Sequence, residues 1–341
     1  MRRPSRQGLI PVCKPGTDTI AAKINSQEKP ISVAASLSSL LLFLILPALA
    51  VTSHAQGLKQ EIAQYFNQVR QGNYPFTPRT LSSAPHEEET LKILQSFLID
   101  SSSAVRDKAY ELVYAVASGS ENSLLRNEGV VILLRACNDH DPGIRATALD
   151  LLTEFHRVDY NLAARDSLRK LIRSKVSPLD RLLKLAGFLH LTDLLPDIQP
   201  LAQRGNPFRL RWSALQSLAR MGQPAAIRGV MKQVERLPVN DDLVYKIFPD
   251  LIFTRQREPI AYVVEALQSD LKNCLSADVE RELPIPCGYR IMEQLAPVIE
   301  NFPLKLGESG DMKTDDYPAA LDTVRQWFRI HQRYTILNDS Y

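Results

Sequence analysis

Apolar residues recur at steps of three and four through most of residues 58–334, and no run longer than a few residues alternates with period two. Each such run lays an apolar stripe on one face of a helix, so the pattern predicts a chain that is almost entirely helical. Three stretches repeat one helical phrase: Ser103-Ala-Val-Arg106-Asp-Lys-Ala109-Tyr-Glu-Leu112-Val113, Pro142-Gly-Ile-Arg145-Ala-Thr-Ala148-Leu-Asp-Leu151-Leu152 and Pro207-Phe-Arg-Leu-Arg211-Trp-Ser-Ala214-Leu-Gln-Ser-Leu218. In each, an aliphatic residue precedes Arg, Ala follows three residues later and an aliphatic residue seven later. A loop rich in Ser, Asp, Asn, Pro or Gly comes before each copy. Recurrence at about 40 residues predicts an α-helical repeat array, in which a unit buries its apolar face only by stacking on its neighbours.

The stripes sort into helix pairs. Ala104–Ser118, with Val105, Ala109, Leu112, Val113 and Val116 on one face, is expected to pair with Leu124–Cys137. Gly143–Arg157 follows with Asn161–Ser174, and the Asp residues of the turn ending at Pro142 are placed to cap the first of these. Pro178–Thr192 and Ile198–Arg204 form a less regular pair that keeps the phase of the phrase but lacks its Arg. Next come Phe208–Met221 with Pro224–Arg236, Asp241–Thr254 with Glu258–Asn273, and Cys287–Asn301 with Tyr317–Tyr334. A polar loop from Pro303 to Asp316 divides the last pair. At the other end, Leu58–Arg70 and Glu87–Ile99 read as a degenerate first pair, a cap with one face to solvent.

Asp139-His-Asp-Pro-Gly-Ile144-Arg145-Ala-Thr-Ala148-Leu-Asp-Leu151 resembles a HEAT repeat, and the units at Val105-Arg106 and Leu210-Arg211 are similar. The resemblance is carried by residues 100–236 and reaches the remainder through helical periodicity alone. It implies an all-α fold, an α-α superhelix or HEAT-like solenoid of about six to seven antiparallel helix pairs. Residues 56–99 would be capping helices, 100–236 clear repeats, and 237–341 divergent repeats with a second cap. Such families are mainly scaffolds that bind partners along a curved surface, so the resemblance implies a protein partner rather than an activity.

The first 55 residues read differently. Arg2, Arg3, Arg6, Lys14, Lys23 and Lys29 precede an apolar run from Val33 to Ala50 that Pro47 breaks. Ser53 and Ala55 then supply the small residues of a cleavage site. This predicts an export signal cut after Ala55, with Ala50 as the other position and an uncleaved membrane anchor as the alternative. Beyond residue 55 stand 35 Lys/Arg against 36 Asp/Glu, so the basicity of the whole chain belongs to its leader.

That balance conceals a basic segment. Residues 157–236 carry 15 Lys/Arg against 6 Asp/Glu, between acidic stretches with 9 against 13 over 56–156 and 8 against 16 over 237–322. Arg165, Arg169 and Arg173 fall at four-residue spacing on one helix with Lys170 beside them, and Arg209 and Arg211 recur two helices later. Stacked helices would gather these six into a lateral band of positive potential. They are the candidate partner-binding residues, and the same band suits an anionic envelope polymer.

Little else points to chemistry. Zinc-protease, nucleophile-elbow, P-loop and Cys-x-x-Cys motifs do not occur. Gly307-Glu-Ser-Gly-Asp311 is superficially similar to a serine-protease loop but falls in a polar interhelical stretch. His86, His140, His156, His190 and His331 are scattered without ligand spacing. The expectation is a non-enzymatic exported scaffold without cofactor or metal; a HEAT-like enzyme acting on nucleic acid is the competing class, and an export signal opposes it. In an oxidising compartment Cys274 and Cys287 are candidates for a disulfide, whereas Cys137, on an apolar helix, reads as a small buried hydrophobe.

Overall fold

A computed structural model describes residues 56–82, 86–276 and 283–341; the expected export segment, residues 1–55, lies outside them. The fold is all-α. Helix α1 (56–70) is followed by α2 (Glu87–Leu94), α3 (Ser103–Gly119), α4 (Ser123–Ala136), α5 (Pro142–Thr153), α6 (Leu162–Arg173), α7 (Leu179–Phe188) and α8 (Leu195–Ile198). Next are α9 (Phe208–Arg220), α10 (Pro224–Val234), α11 (Asp241–Lys246), α12 (Phe248–Phe253), α13 (Arg257–Leu267), α14 (Gly288–Leu295) and α15 (Tyr317–Ile330). Among the described residues no helix is long and apolar enough to cross a membrane.

The arginine of the repeated phrase has a structural duty that explains its position. Side chains of Asn122, Asp141 and Asn161 cap α4, α5 and α6 by accepting backbone N–H bonds. Four residues after each cap, and after Ser102 before α3, stands an arginine that turns back over the loop. Arg106 donates to the carbonyls of Asp100 and Ser101 (2.8 and 3.3 Å), Arg126 to those of Ser120 and Glu121 (2.8 and 3.1 Å), and Arg145 to those of Asp139 and His140 (2.7 and 3.2 Å). Arg165 does the same with Tyr160 (2.9 Å). These bonds satisfy loop carbonyls that would otherwise be stranded beside the core. The clamp therefore recurs on every helix from α3 to α6, at about half the period read from the phrase.

Two of these arginines also join successive units. Arg106 donates through Nε and Nη2 to both oxygens of Asp139 (2.8 and 2.9 Å), and Arg126 reaches Asp159 (2.7 Å), each partner lying 33 residues ahead. Asp139 also accepts the N–H of Asp141 (2.8 Å), which fixes the turn before α5.

Apolar stripes pack α3 on α4 and α5, α4 on α6, α5 on α7, α7 on α9, α9 on α10 and α12, α10 on α13, and α12 on α14. Close approach requires small residues at two crossings. A Cβ on Gly129 would sit 2.3 Å from that of Ala117, and one on Gly187 would sit 2.8 Å from the Cα of Ser217.

Several helices are shorter than their periodicity predicts, and prolines account for most of the difference. A single helix over Asp241–Thr254 is broken at Ile247, because Pro249 brings no N–H to the preceding turn. Pro196 and Pro200 likewise reduce Ile198–Arg204 to the end of α8 and a 3₁₀ turn, Gln199–Ala202. Helix α14 stops at Leu295, before Pro297, rather than at Asn301. Helix α7 ends at Phe188, where His190 takes a left-handed conformation (φ 52°). The region after α13 holds two short antiparallel strands, β1 (Cys274–Leu275) and β2 (Pro284–Ile285), which the periodicity did not foresee. Cys274 and Cys287 are disulfide-bonded, tying β1 to the start of α14. Cys137 is buried, and burial pushes its thiol up to about 12.

After α15 the chain doubles back. Glu300 donates to the Thr335 carbonyl (3.1 Å), Leu337 to that of Val298 (2.9 Å), and Arg157 to that of Asp339 (3.3 Å). Residues 335–341 thereby run as a return segment from the loop after α14 to the ends of α5 and α7.

Candidate functional site

The six candidate basic residues lie on α6 and α9, and four of them are already engaged by groups of this chain. Arg165 directs its guanidinium to the carbonyls of Tyr160, Leu189 and Arg157 (2.9, 3.0 and 3.4 Å). Arg169 holds both oxygens of Asp193 (2.8 and 3.0 Å) and one of Asp166 (2.8 Å). Arg173 faces Asp197 at 3.3 Å, and Arg209 pairs with Asp180 at 2.5 Å. Four of the segment's six carboxylates are folded onto Arg169, Arg173 and Arg209, which a count along the chain does not reveal. Arg211, one of the six, lines with Arg204 and Lys232 a cavity of about 640 Å³ that has no acidic residue in its wall. Arg211 also stacks over the Phe208 ring (5.5 Å). Lys170 borders a separate cavity of about 350 Å³ with Ser167 and Asn138. Trp212 is a core residue whose Nε1 donates to Asp250 (2.7 Å).

A more elaborate arrangement lies at the C-terminal ends of α7, α9 and α12. The guanidinium of Arg220, fully buried, stacks on Phe253 (4.6 Å) and Phe188 (5.1 Å). It donates to the carbonyls of Phe253 (2.8 Å) and Ser340 (2.7 Å). Arg255, 6% exposed, donates to the Ile252 carbonyl and the terminal oxygen of Tyr341 (both 2.8 Å) and to Ser340 Oγ (3.3 Å). The Tyr341 ring sits against Phe188 and Phe253, with centroids 5.7 and 5.0 Å away. Beside it a cavity of about 500 Å³ is bounded by Lys184, Asp250, Arg255, Gln294 and Glu154. Lys184 pairs with Asp250 at 2.5 Å and stacks over Phe253 (5.4 Å).

Burial dominates the electrostatics of this cleft. Burial, then the neighbouring Arg255 and Arg157, push the Arg220 guanidinium down to about 8. Burial lowers Arg255 to about 10, and burial raises the Tyr341 phenol. Both Arg220 Nε and Arg255 Nε are buried without an acceptor. The acceptors these two arginines do have are the main-chain oxygens of Phe253, Ser340 and Ile252, the Ser340 hydroxyl and the terminal oxygen of Tyr341.

Compared with known proteins, the chain matches no family model, no curated protein and no solved structure. The HEAT resemblance thus rests on the quoted residues alone. Among the described residues, no group of three His, Cys, Asp or Glu side chains is placed to hold a metal ion. Ser309 of the protease-like stretch lies in a tight turn closed by Gly310 N–H on the Gly307 carbonyl (3.1 Å).

Sequence reasoning placed Arg220 in the basic segment and passed over Arg255, Phe188, Phe253 and Tyr341. One signal was available: Arg220 and Arg255 each end an apolar run, Leu218-Ala-Arg220-Met221 and Ile252-Phe-Thr-Arg255, one repeat length apart.

Proposed function

We propose that this chain is a non-enzymatic, exported scaffold that binds a protein partner on the surface of a HEAT-like α-solenoid. The observation that carries the reading is the cleft at the ends of α7, α9 and α12, where a stretch of polypeptide, residues 339–341, already lies against an aromatic and arginine wall. The repeating arginine links of 33 residues and the α3-α5-α7-α9-α12-α14 packing sequence support a stacked array. Export is supported by the leader composition and by the Cys274–Cys287 bond, which suits an oxidising compartment. The test is a pull-down from an envelope extract with the full chain as bait. A defined polypeptide recovered at stoichiometric yield is the expected result; recovery of none, with turnover of a substrate by the purified protein, overturns the reading.

A second reading, binding of an anionic envelope polymer, is favoured by the acid-free cavity at Arg204, Arg211 and Lys232. It expects affinity that falls steeply with salt and is lost in Arg204→Ala/Arg211→Ala/Lys232→Ala, while Arg169→Ala/Arg173→Ala changes it little. Insensitivity to salt and to the triple substitution removes it.

A further inference from the structure

Between Ile198 and Val239 the chain carries seven Lys/Arg and one acidic residue, Glu235. Arg209 is paired with Asp180, and Arg220 is buried on main-chain oxygens, so neither is open to a ligand. Arg204, Arg211, Arg228, Lys232 and Arg236 stand outside ion-pair distance of any carboxylate among the described residues. Three of the five converge on one groove. Its floor is α9, with Arg211 and Leu215; one wall is the chain after the 3₁₀ turn, with Arg204, and the other is α10, with Gly229, Lys232 and Gln233. We infer that this groove binds a sugar unit bearing a phosphate monoester. The inference rests on the anionic-polymer reading and names the chemical group that the site takes.

The groove exists because a full helix is missing beside α10. Both α10 and the 3₁₀ turn Gln199–Ala202 pack on α9. Pro196 and Pro200 bring no N–H to the ladder that would extend α8 beyond Ile198, so a short turn stands where the expected helix continues to Arg204. The opposite wall is opened by Gly229, which puts no side chain into the space; a Cβ there would come within 3.2 Å of Leu215 Cδ2. The volume, about 640 Å³, is that of a site for a small organic molecule.

Charge and hydrogen-bonding capacity select the ligand. Arg211 is braced by the Phe208 ring, 5.5 Å from its Cζ, rather than by a carboxylate, so the guanidinium keeps its charge and its forked donors for a ligand. Arg204 and Lys232 add two more charges, and the wall holds no acidic residue. A carboxylate offsets one of these three charges, whereas a phosphate monoester brings about −1.5 to −2 at pH 7 and three acceptor oxygens. Those oxygens suit two guanidinium forks and an ammonium. Gln233 is the one acceptor side chain in the wall: its Nε2 donates to the Gly229 carbonyl (3.3 Å), which leaves Oε1 for a donor. A sugar hydroxyl supplies that donor, and Leu215 offers an apolar surface to the C–H face of the ring. Arg228 stands about one turn before Lys232 and Arg236 about one turn after it, so further acid groups of a polymer have cations to follow.

The test is isothermal titration calorimetry of the full chain, in low salt, with glucose 6-phosphate, glucuronate, glucose and inorganic phosphate. The expected result is that glucose 6-phosphate binds at least about tenfold tighter than glucuronate or inorganic phosphate, and that glucose does not bind. Arg211→Gln and Lys232→Gln are each expected to weaken it at least about tenfold, whereas Arg173→Gln, on α6, leaves it unchanged. Gly229→Leu keeps every charge and fills the space, so it is expected to abolish binding; melting curves confirm that each variant is folded. Absence of glucose 6-phosphate binding, or undiminished binding in Arg211→Gln or Gly229→Leu, overturns the site. Affinity for glucuronate or inorganic phosphate equal to that for glucose 6-phosphate overturns the ligand class. Dextran sulfate, titrated in parallel, separates this inference from the reading beneath it. If the polymer binds with steep salt dependence and is lost in Arg204→Ala/Arg211→Ala/Lys232→Ala while glucose 6-phosphate does not bind, the polymer reading stands and the sugar-phosphate site falls. The reverse pattern removes the polymer reading and keeps the site.

Discussion

Replacing Asp139 by alanine strands the Arg106 guanidinium in the interior. The arginine side chain is 3% exposed and the aspartate 6%, and two parallel bonds join them. Breaking such a pair by removing one partner costs about 3–5 kcal/mol, because the surviving charge stays buried. Arg106 keeps its bonds to the Asp100 and Ser101 carbonyls, which places the expected loss near the lower end, about 3 kcal/mol. The companion is Arg106→Met/Asp139→Leu, where no charge remains to be solvated; its expected loss is below about 1.5 kcal/mol. Urea unfolding of Asp139→Ala, Arg106→Met, Asp139→Leu and Arg106→Met/Asp139→Leu gives the first loss, and the last three against the wild type give the coupling. A loss below about 1 kcal/mol in Asp139→Ala, or a double variant as unstable as the sum of the singles, refutes the reasoning.

The same pair has a pH signature. Burial raises the Asp139 carboxyl, but the Arg106 hydrogen bonds, the Asp141 N–H and the Arg106 charge outweigh it and hold the group below the usual range. A depressed folded value means that the unfolded chain binds the proton first. The stabilisation is therefore complete above the unfolded value of about 4 and lost as pH falls through the depressed folded one. Between pH 5 and strong acid the wild type should lose more stability than Asp139→Ala.

Other consequences are equally direct. Gly129→Ala forces a methyl to within 2.3 Å of the Ala117 Cβ and should destabilise by about 1–3 kcal/mol; an unchanged or raised Tm contradicts the α3–α4 approach. Cys274→Ser/Cys287→Ser should lose about 3 kcal/mol, and its Tm should not respond to dithiothreitol, whereas that of the wild type falls. Cys137, buried and shifted up to about 12, should resist alkylation at pH 8 in the native protein and react once urea unfolds it; rapid native labelling would show the site to be open.

The features legible along the chain were those whose physics is local. Apolar stripes at helical spacing and the Asp141 cap each depend on neighbours within about a turn or two, so order in the sequence carries them; the breaks at Pro200, Pro249 and Pro297 are equally local, but periodicity ran across them. The recurring Arg was visible too, but its duty was not, because its partner carbonyls precede the helix and its carboxylate lies 33 residues on. Charge counting could not show the pairing of Arg169, Arg173 and Arg209 for the same reason: Asp193, Asp197 and Asp180 reach them only after folding. Tertiary structure alone decided the cleft. It brings Ser340 to Arg220 across 120 positions and Tyr341 to Arg255 across 86, and no periodicity in the chain relates residues that meet only when the return segment crosses the helix ends.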